Sequence, residues 1–184
     1  GTATNGTDYS SLGGQTITIS AGLTTGTITG TPTDDSIYED DEVAAIAIST
    51  VSGGGATESG TQSVSITITE NESAPTVTLA TSTSSVTENS GTTVTLTATA
   101  SQAADEDITV TLSTSGTATN GTDYSAINTQ TITIAAGSTT GTKSFTPADD
   151  SVYEDDEVAT IAISDVSGGG AIENGTQSVS ITIT

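Results

Sequence analysis

Short stretches of alternating apolar and polar residues run through this chain, and none of them shows the three-to-four-residue spacing of a helix. Thr76 to Leu79 opens one such stretch, and Thr92 to Thr99 places Val94, Leu96 and Ala98 on a single face. Ile108, Val110 and Leu112 repeat the pattern, followed by Ile132 with Ile134, then Phe145, then Ile161 with Ile163, and last Val179, Ile181 and Ile183. A period of two residues is that of a strand with one face in the core and the other in water. Between the stretches lie turn formers: a kink at Ser82 to Ser85, an edge segment Val86 to Gly91, Asn120-Gly121, and the run Gly168-Gly169-Gly170. Seven or so short strands without a helix predict an all-β fold, an antiparallel β-sandwich of immunoglobulin-like architecture. Its core would be filled by Ile, Val and Leu with one Phe, which is modest and leaves room for stabilisation by a metal.

The pattern itself recurs. Gly1 to Ser10 reappears letter for letter as Gly116 to Ser125, an offset of 115 residues, and the match runs on until Thr69 aligns with Thr184. Residues 1–69 therefore read as the C-terminal part of one repeat, 70–75 as a linker in which Pro75 opens the next domain, and 76–184 as a complete repeat. The copies differ at scattered positions, such as Gly30 against Phe145 and Ile28 against Lys143. Near-identity at this level points to recent duplication in a long tandem array, and a chain with no Met reads as a window cut from a longer one. Residues 1–69 lack counterparts of the strands in 76–112, so their sandwich is expected to have open edges.

Composition changes the picture in two ways. The apolar fraction is low, 32%, but the shortfall is made up by Thr, Ser and Gly, and Thr suits the solvent face of a strand, so disorder does not follow. The net charge is −22, from 23 acidic residues against Lys143 alone, which excludes the usual means of binding nucleic acid or an anionic membrane surface. There is no Cys, so neither a disulfide nor a thiolate metal site contributes. The acidic residues are concentrated. Asp149-Asp150-Ser151-Val152-Tyr153-Glu154-Asp155-Asp156-Glu157 holds six carboxylates in nine residues, and Asp34-Asp35-Ser36-Ile37-Tyr38-Glu39-Asp40-Asp41-Glu42 repeats it. Such a stretch is either a solvated turn or a cation site. The apolar pair in its middle would pin the loop and force the carboxylates together, and an all-oxygen ligand set of this density suits Ca²⁺. An EF-hand is excluded, because its Asp-x-Asp-x-Asp-Gly run is missing.

The order of motifs then carries a resemblance. Ser85-Val86-Thr87-Glu88-Asn89, Gly116-Thr117-Ala118 through Gly121-Thr122-Asp123-Tyr124, Ala136-Gly137-Ser138, the acidic stretch 149–157 and Ile181-Thr182-Ile183 together resemble a Calx-β domain. That family is named for regulatory domains of sodium/calcium exchangers and also occurs in large bacterial surface proteins. The resemblance covers residues 74–184 and the matching part of 1–72, and it implies a seven-stranded sandwich with Ca²⁺ held by loops at one end. Carried over by position, it implies ligands at Glu88, Asp123, Asp149, Asp150, Glu154 and Glu157. In the first copy it implies Asp8, Asp34, Asp35, Glu39 and Glu42, with Glu70 and Glu72 just after the last strand. Glu70 and Glu72 also fall in the linker, so Ca²⁺ there would stiffen the joint between neighbouring repeats.

Catalysis has little to stand on. Without His, Cys or Arg there is no imidazole shuttle, no thiolate nucleophile and no arginine clamp, and an aromatic content of 3% leaves no platform for a glycosidase. Asn5-Gly6-Thr7, Asn71-Glu72-Ser73, Asn120-Gly121-Thr122 and Asn174-Gly175-Thr176 match a glycosylation acceptor, but Asn-Gly is also an ordinary turn signal, and turns are the simpler reading. The reading as a whole is a structural calcium-binding repeat of a large secreted or cell-surface protein, of bacterial type, serving extension, adhesion or filament formation. Its partners would be neighbouring repeats, or identical chains in a filament. Two alternatives stand beside it: a fibre subunit that uses strand donation between chains, and a calcium sensor.

Overall fold

The computed structural model describes residues 1–127, 130–149 and 153–184. The chain forms two compact units: the first comprises Gly1–Asp35 and Asp40–Asn71, the second Glu72–Thr184 together with the short segment Ser36–Glu39.

In the first unit the ordered ladder is a single antiparallel pair, β1 (Glu42–Ala47) and β2 (Ser63–Ile68), in which Glu42 faces Ile68 and Ala47 faces Ser63. Much of its apolar surface is uncovered. Ile17, Ile19, Leu23, Val64 and Ile66 are all more than half exposed. Ile17, Val64 and Ile66 line an open groove of about 260 Å³ together with Tyr9, Leu12, Ile28 and Ile46 among others.

The second unit is a two-sheet sandwich. Its strands are β3 (Thr76–Thr81), β4 (Ser85–Val86), β5 (Val94–Ala100), β6 (Ile108–Gly116), β7 (Thr131–Ile134), β8 (Thr140–Phe145), β9 (Glu157–Ser167), β10 (Ile172–Glu173) and β11 (Ser178–Ile183), with one 3-10 turn at Glu88–Ser90. One sheet runs β10-β3-β5-β8, the other β4-β11-β9-β6-β7. The long pairings are antiparallel, and both two-residue edge strands pair in parallel, β4 with β11 and β10 with β3. The immunoglobulin-like sandwich is thus present, and the inward faces are those of the alternating pattern. Val94, Leu96, Ala98, Ile108, Val110, Leu112, Ile132, Ile134, Phe145, Ile161, Ile163, Ile181 and Ile183 are all buried in one core. Val179 is the exception, only partly covered at the edge of that core. The short β10 carries no alternation that a sequence pattern could show, and its Ile172 is 58% exposed.

Identical residues meet different fates in the two units. Gln130 to Ile134 repeats Gln15 to Ile19, yet only the later copy is a strand. There, Ile132 lies opposite Val110 and Ile134 opposite Ile108 across the β6–β7 ladder, and both are buried. Pairing with a distant strand and burial against the second sheet, not local preference, make this segment a strand.

Candidate metal centre

The site in the second unit is assembled where β6 ends and β9 begins. Gly116 at the end of β6 lies opposite Ala159. The chain then stays tied to β9, since the Ala118 amide donates to the Val158 carbonyl at 3.1 Å and the Val158 amide donates to Thr117 Oγ1 at 2.8 Å. A tight turn follows in which the Asp123 amide donates to the Thr119 carbonyl at 3.0 Å, while Asp123 Oδ2 accepts from the Thr119 amide. Gly121 makes the turn possible, with a φ of 90° that a side chain resists. Tyr124, fully buried, anchors the far side against Phe145 with ring centroids 5.3 Å apart. The Ala148 amide closes the arrangement by donating to the Asp123 carbonyl at 2.9 Å. Asp123 is thereby held on a rigid frame and is the one buried charged side chain among the described residues.

Two more acids meet it. Glu157 is the first residue of β9, opposite Ile183 at the end of β11, and Glu154 lies in the irregular segment just before it. Asp123, Glu154 and Glu157 each offer a carboxylate oxygen within 4.8 Å of the others. Glu88 approaches from the 3-10 turn after β4, where its amide donates to the Thr184 carbonyl at 3.1 Å. Carboxylates this close repel strongly in a half-buried place. The consequence falls on Glu157, whose carboxyl is pushed up to about 7 by its hydrogen bond with Asp123, then by burial, then by the charges of Asp123, Glu154 and Glu88. Its Oε2 is buried with no hydrogen-bond partner among the described residues. A crowded acid with a raised pKa and an unpartnered oxygen is an arrangement that a bound cation would relieve.

This has a pH consequence that can be measured without metal. The proton on Glu157 is held more tightly in the folded state than at its ordinary value of 4.5. Its contribution to stability is therefore complete below that value and is lost as pH rises through about 7. We expect the melting temperature of the metal-free chain to fall over that window, and the fall to flatten in Glu157→Gln. An unchanged slope in the variant would remove Glu157 as the cause.

The remaining sequence-derived ligands are placed as follows. Asp149 is exposed and lies outside the group of three, and Asp150 lies outside the described residues. In the first unit, Asp8 and Glu42 bring carboxylate oxygens within 4.8 Å of each other, as Asp123 and Glu157 do. Glu39 is in the segment Ser36–Glu39 that belongs to the second unit. Asp34 and Asp35 are exposed, and Asp34 Oδ1 accepts from the Asn71 side chain at 3.1 Å. The Glu70 amide donates to Asp41 Oδ1 at 2.9 Å, and Glu72 is half-buried in the second unit. Asp41 and Asn71 were not foreseen as participants; for Asp41 the signal available was its place inside the acidic stretch.

Fold and site together define a class: an immunoglobulin-like β-sandwich that gathers three carboxylates where β6 ends and β9 begins. The family model of the Calx-beta domain matches residues 1–72 and 70–183, and the chain belongs to the Calx-beta domain family. Among solved structures it is similar to the apo form of the Calx CBD1 domain, at 21% identity and a TM-score of 0.47 over 59% of this chain and 96% of that one. It is also similar to CBD12 from CALX1.2, at 23% identity and a TM-score of 0.47, over 54% of this chain and 40% of that one. The Calx CBD2 domain matches at 14% identity and a TM-score of 0.45, over 57% of this chain and 84% of that one. No curated protein is similar enough in sequence to match. Calx-beta domains bind Ca²⁺, and the donors gathered here fit that ion: all are oxygens, three are carboxylates, and one is buried without a partner.

Proposed function

We propose that this chain is a structural calcium-binding repeat of a large secreted or cell-surface protein, in which tandem copies give length and Ca²⁺ gives stiffness. The observation that carries the proposal is the group Asp123, Glu154 and Glu157 with its buried, unpartnered Glu157 oxygen. In the second copy these three, with Glu88, would hold the ion. Asp149 and Asp150 complete the ligand set that the family position suggests. In the first copy the corresponding residues are Asp8, Asp34, Asp35, Glu39 and Glu42. When bound, the ion would supply positive charge, which offsets the hydrogen bond with Asp123, the burial and the neighbouring charges that raise the Glu157 pKa. The rest is done by the chain. Asp123 belongs to the Thr119–Asp123 turn, Glu157 to β9 and Glu88 to the segment after β4, so neutralising these acids ties three loops to one end of the sandwich. Glu70 and Glu72 follow β2 directly in the sequence, which supports a stiffening role at the joint between repeats. Near-identity of the copies favours a spacer over a sensor, because an array needs length whereas a sensor needs one tuned site.

The test is a calcium titration of the chain by calorimetry, with small-angle scattering in Ca²⁺ and in chelator. A spacer outside the cell is expected to respond at about 10⁻⁴ to 10⁻³ M, with a longer, straighter particle in Ca²⁺. Binding in the micromolar range would favour the sensor, and no binding would overturn the proposal. A second reading, strand donation between chains, is favoured by the open apolar groove of the first unit. A particle mass that grows with concentration in the same scattering series would support it.

A further inference from the structure

The acidic stretch contains one tyrosine in each copy, Tyr38 and Tyr153, at equivalent positions of the repeat. Their surroundings differ sharply. Tyr38, in the segment Ser36–Glu39 of the second unit, is half-buried and packs against the core of that unit. Its amide donates to the Ala103 carbonyl at 2.9 Å, and its carbonyl accepts from the Asp105 amide at 3.0 Å, forming a parallel bridge to Ala104. The ring rests on Gly170, where an added Cβ would lie 2.4 Å from the ring atom Cε1. A Cβ on the adjacent Gly169 would in turn come 2.6 Å from that of Ala104. The receiving surface is thus a notch made of groups that can only be small, and a tyrosine fills it. Tyr153 has nearly the same sequence around it, with Val152 in place of Ile37, and is 91% exposed, the most exposed of the large apolar side chains among the described residues.

A large aromatic side chain left in water by one copy and seated in a glycine-walled notch in the other indicates its own partner. We propose that Tyr153 is a docking knob for a further copy of this repeat, which receives it in its own Ala104–Gly170 notch through the same two main-chain bonds. The partner is defined by the notch: a three-glycine turn packed on an alanine, with the Ala103 carbonyl and the Asp105 amide beside it. This contact uses no carboxylate and goes beyond the calcium reading, so either can fail without the other.

Hydroxyl-radical footprinting read by mass spectrometry tests it, in saturating Ca²⁺ because Tyr153 adjoins Glu154. In the 184-residue chain, Tyr153 is expected to label faster than Tyr38. The chain is then extended after Thr184 by a second copy of residues 70–184, with alanine at that copy's own position 153 so that the two signals separate. Labelling of Tyr153 is expected to fall to the level of Tyr38. Gly170→Val in the added copy alone is expected to restore it. Undiminished labelling of Tyr153 in the extended chain overturns the proposal. Protection that survives Gly170→Val, in a variant whose circular dichroism shows the added copy folded, overturns the assignment to this notch. Should that variant not fold, Ala104→Leu in the added copy fills the same notch from its other wall and is held to the same two outcomes.

Discussion

Glu157→Gln is expected to change the sign of its effect on stability with the presence of Ca²⁺. Without the ion, the substitution removes a charge from the group Asp123, Glu154 and Glu157, keeps the side-chain volume and leaves a donor for Asp123. The variant should therefore match or exceed the parent chain above neutral pH, where the parent loses the proton that relieves its repulsion. With Ca²⁺ at about 100 times the dissociation constant, one site stabilises the parent by about 2.7 kcal/mol, or roughly 5–10 °C in a chain of this size. The variant should lose most of the share that belongs to the second unit. Glu157→Gln is a cleaner test than a change at Asp123, whose carboxylate also accepts from the Thr119 amide and so holds the turn together. The measurement is thermal melting at pH about 8 in chelator and in Ca²⁺. A variant that keeps the full calcium response places the ion elsewhere, and one that is weaker in both conditions makes Glu157 a structural residue only.

Much of this sandwich was legible in the alternating pattern, because a strand buried on one face must show its core to the sequence. Val94, Leu96 and Ala98, or Ile108, Val110 and Leu112, have few other ways to be placed, and each set lies in the core. What the pattern could not show is pairing at a distance. Two-residue strands such as β4 and β10 have no period to read, and their parallel pairing depends on where β11 and β3 already lie. The same limit applies to Ile17 and Ile132, which share their neighbours letter for letter. One is 54% exposed and the other buried, because only Ile132 has β6 beside it. For the site, charge density in the acidic stretch left a solvated turn and a cation site as the two readings. Its composition could not say that Glu154 and Glu157 would meet Asp123, more than thirty positions earlier and brought in by the β6–β9 ladder. The family position of Asp123 supplied that residue, and the structure supplies the reason it is held there.

The second large effect is expected at Phe145, far from any carboxylate in chemistry but not in mechanics. Phe145 is 2% exposed at the end of β8, opposite Val94 in β5, with the ring of Tyr124 tilted at 54° against it. Phe145→Ala removes a large ring from a close-packed core and is expected to cost about 3–5 kcal/mol, a considerable part of the stability of a domain this size. The cost should also reach the proposed calcium site. Tyr124 follows Asp123 directly, and the same loop is tied to the segment after β8 where the Ser125 amide donates to the Thr146 carbonyl at 2.8 Å. With its packing partner gone, Tyr124 no longer fixes the frame that holds Asp123, so calcium affinity should fall together with stability. Phe145→Leu, which refills most of the space, should recover much of both. Denaturant unfolding and calcium titration of the two variants decide the matter. If Phe145→Ala loses stability but binds Ca²⁺ as the parent does, the loop is rigid by its own hydrogen bonds. If both fall and leucine restores both, the core of the sandwich positions the site, and the single phenylalanine where the other copy carries Gly30 is part of how the second unit holds its ion.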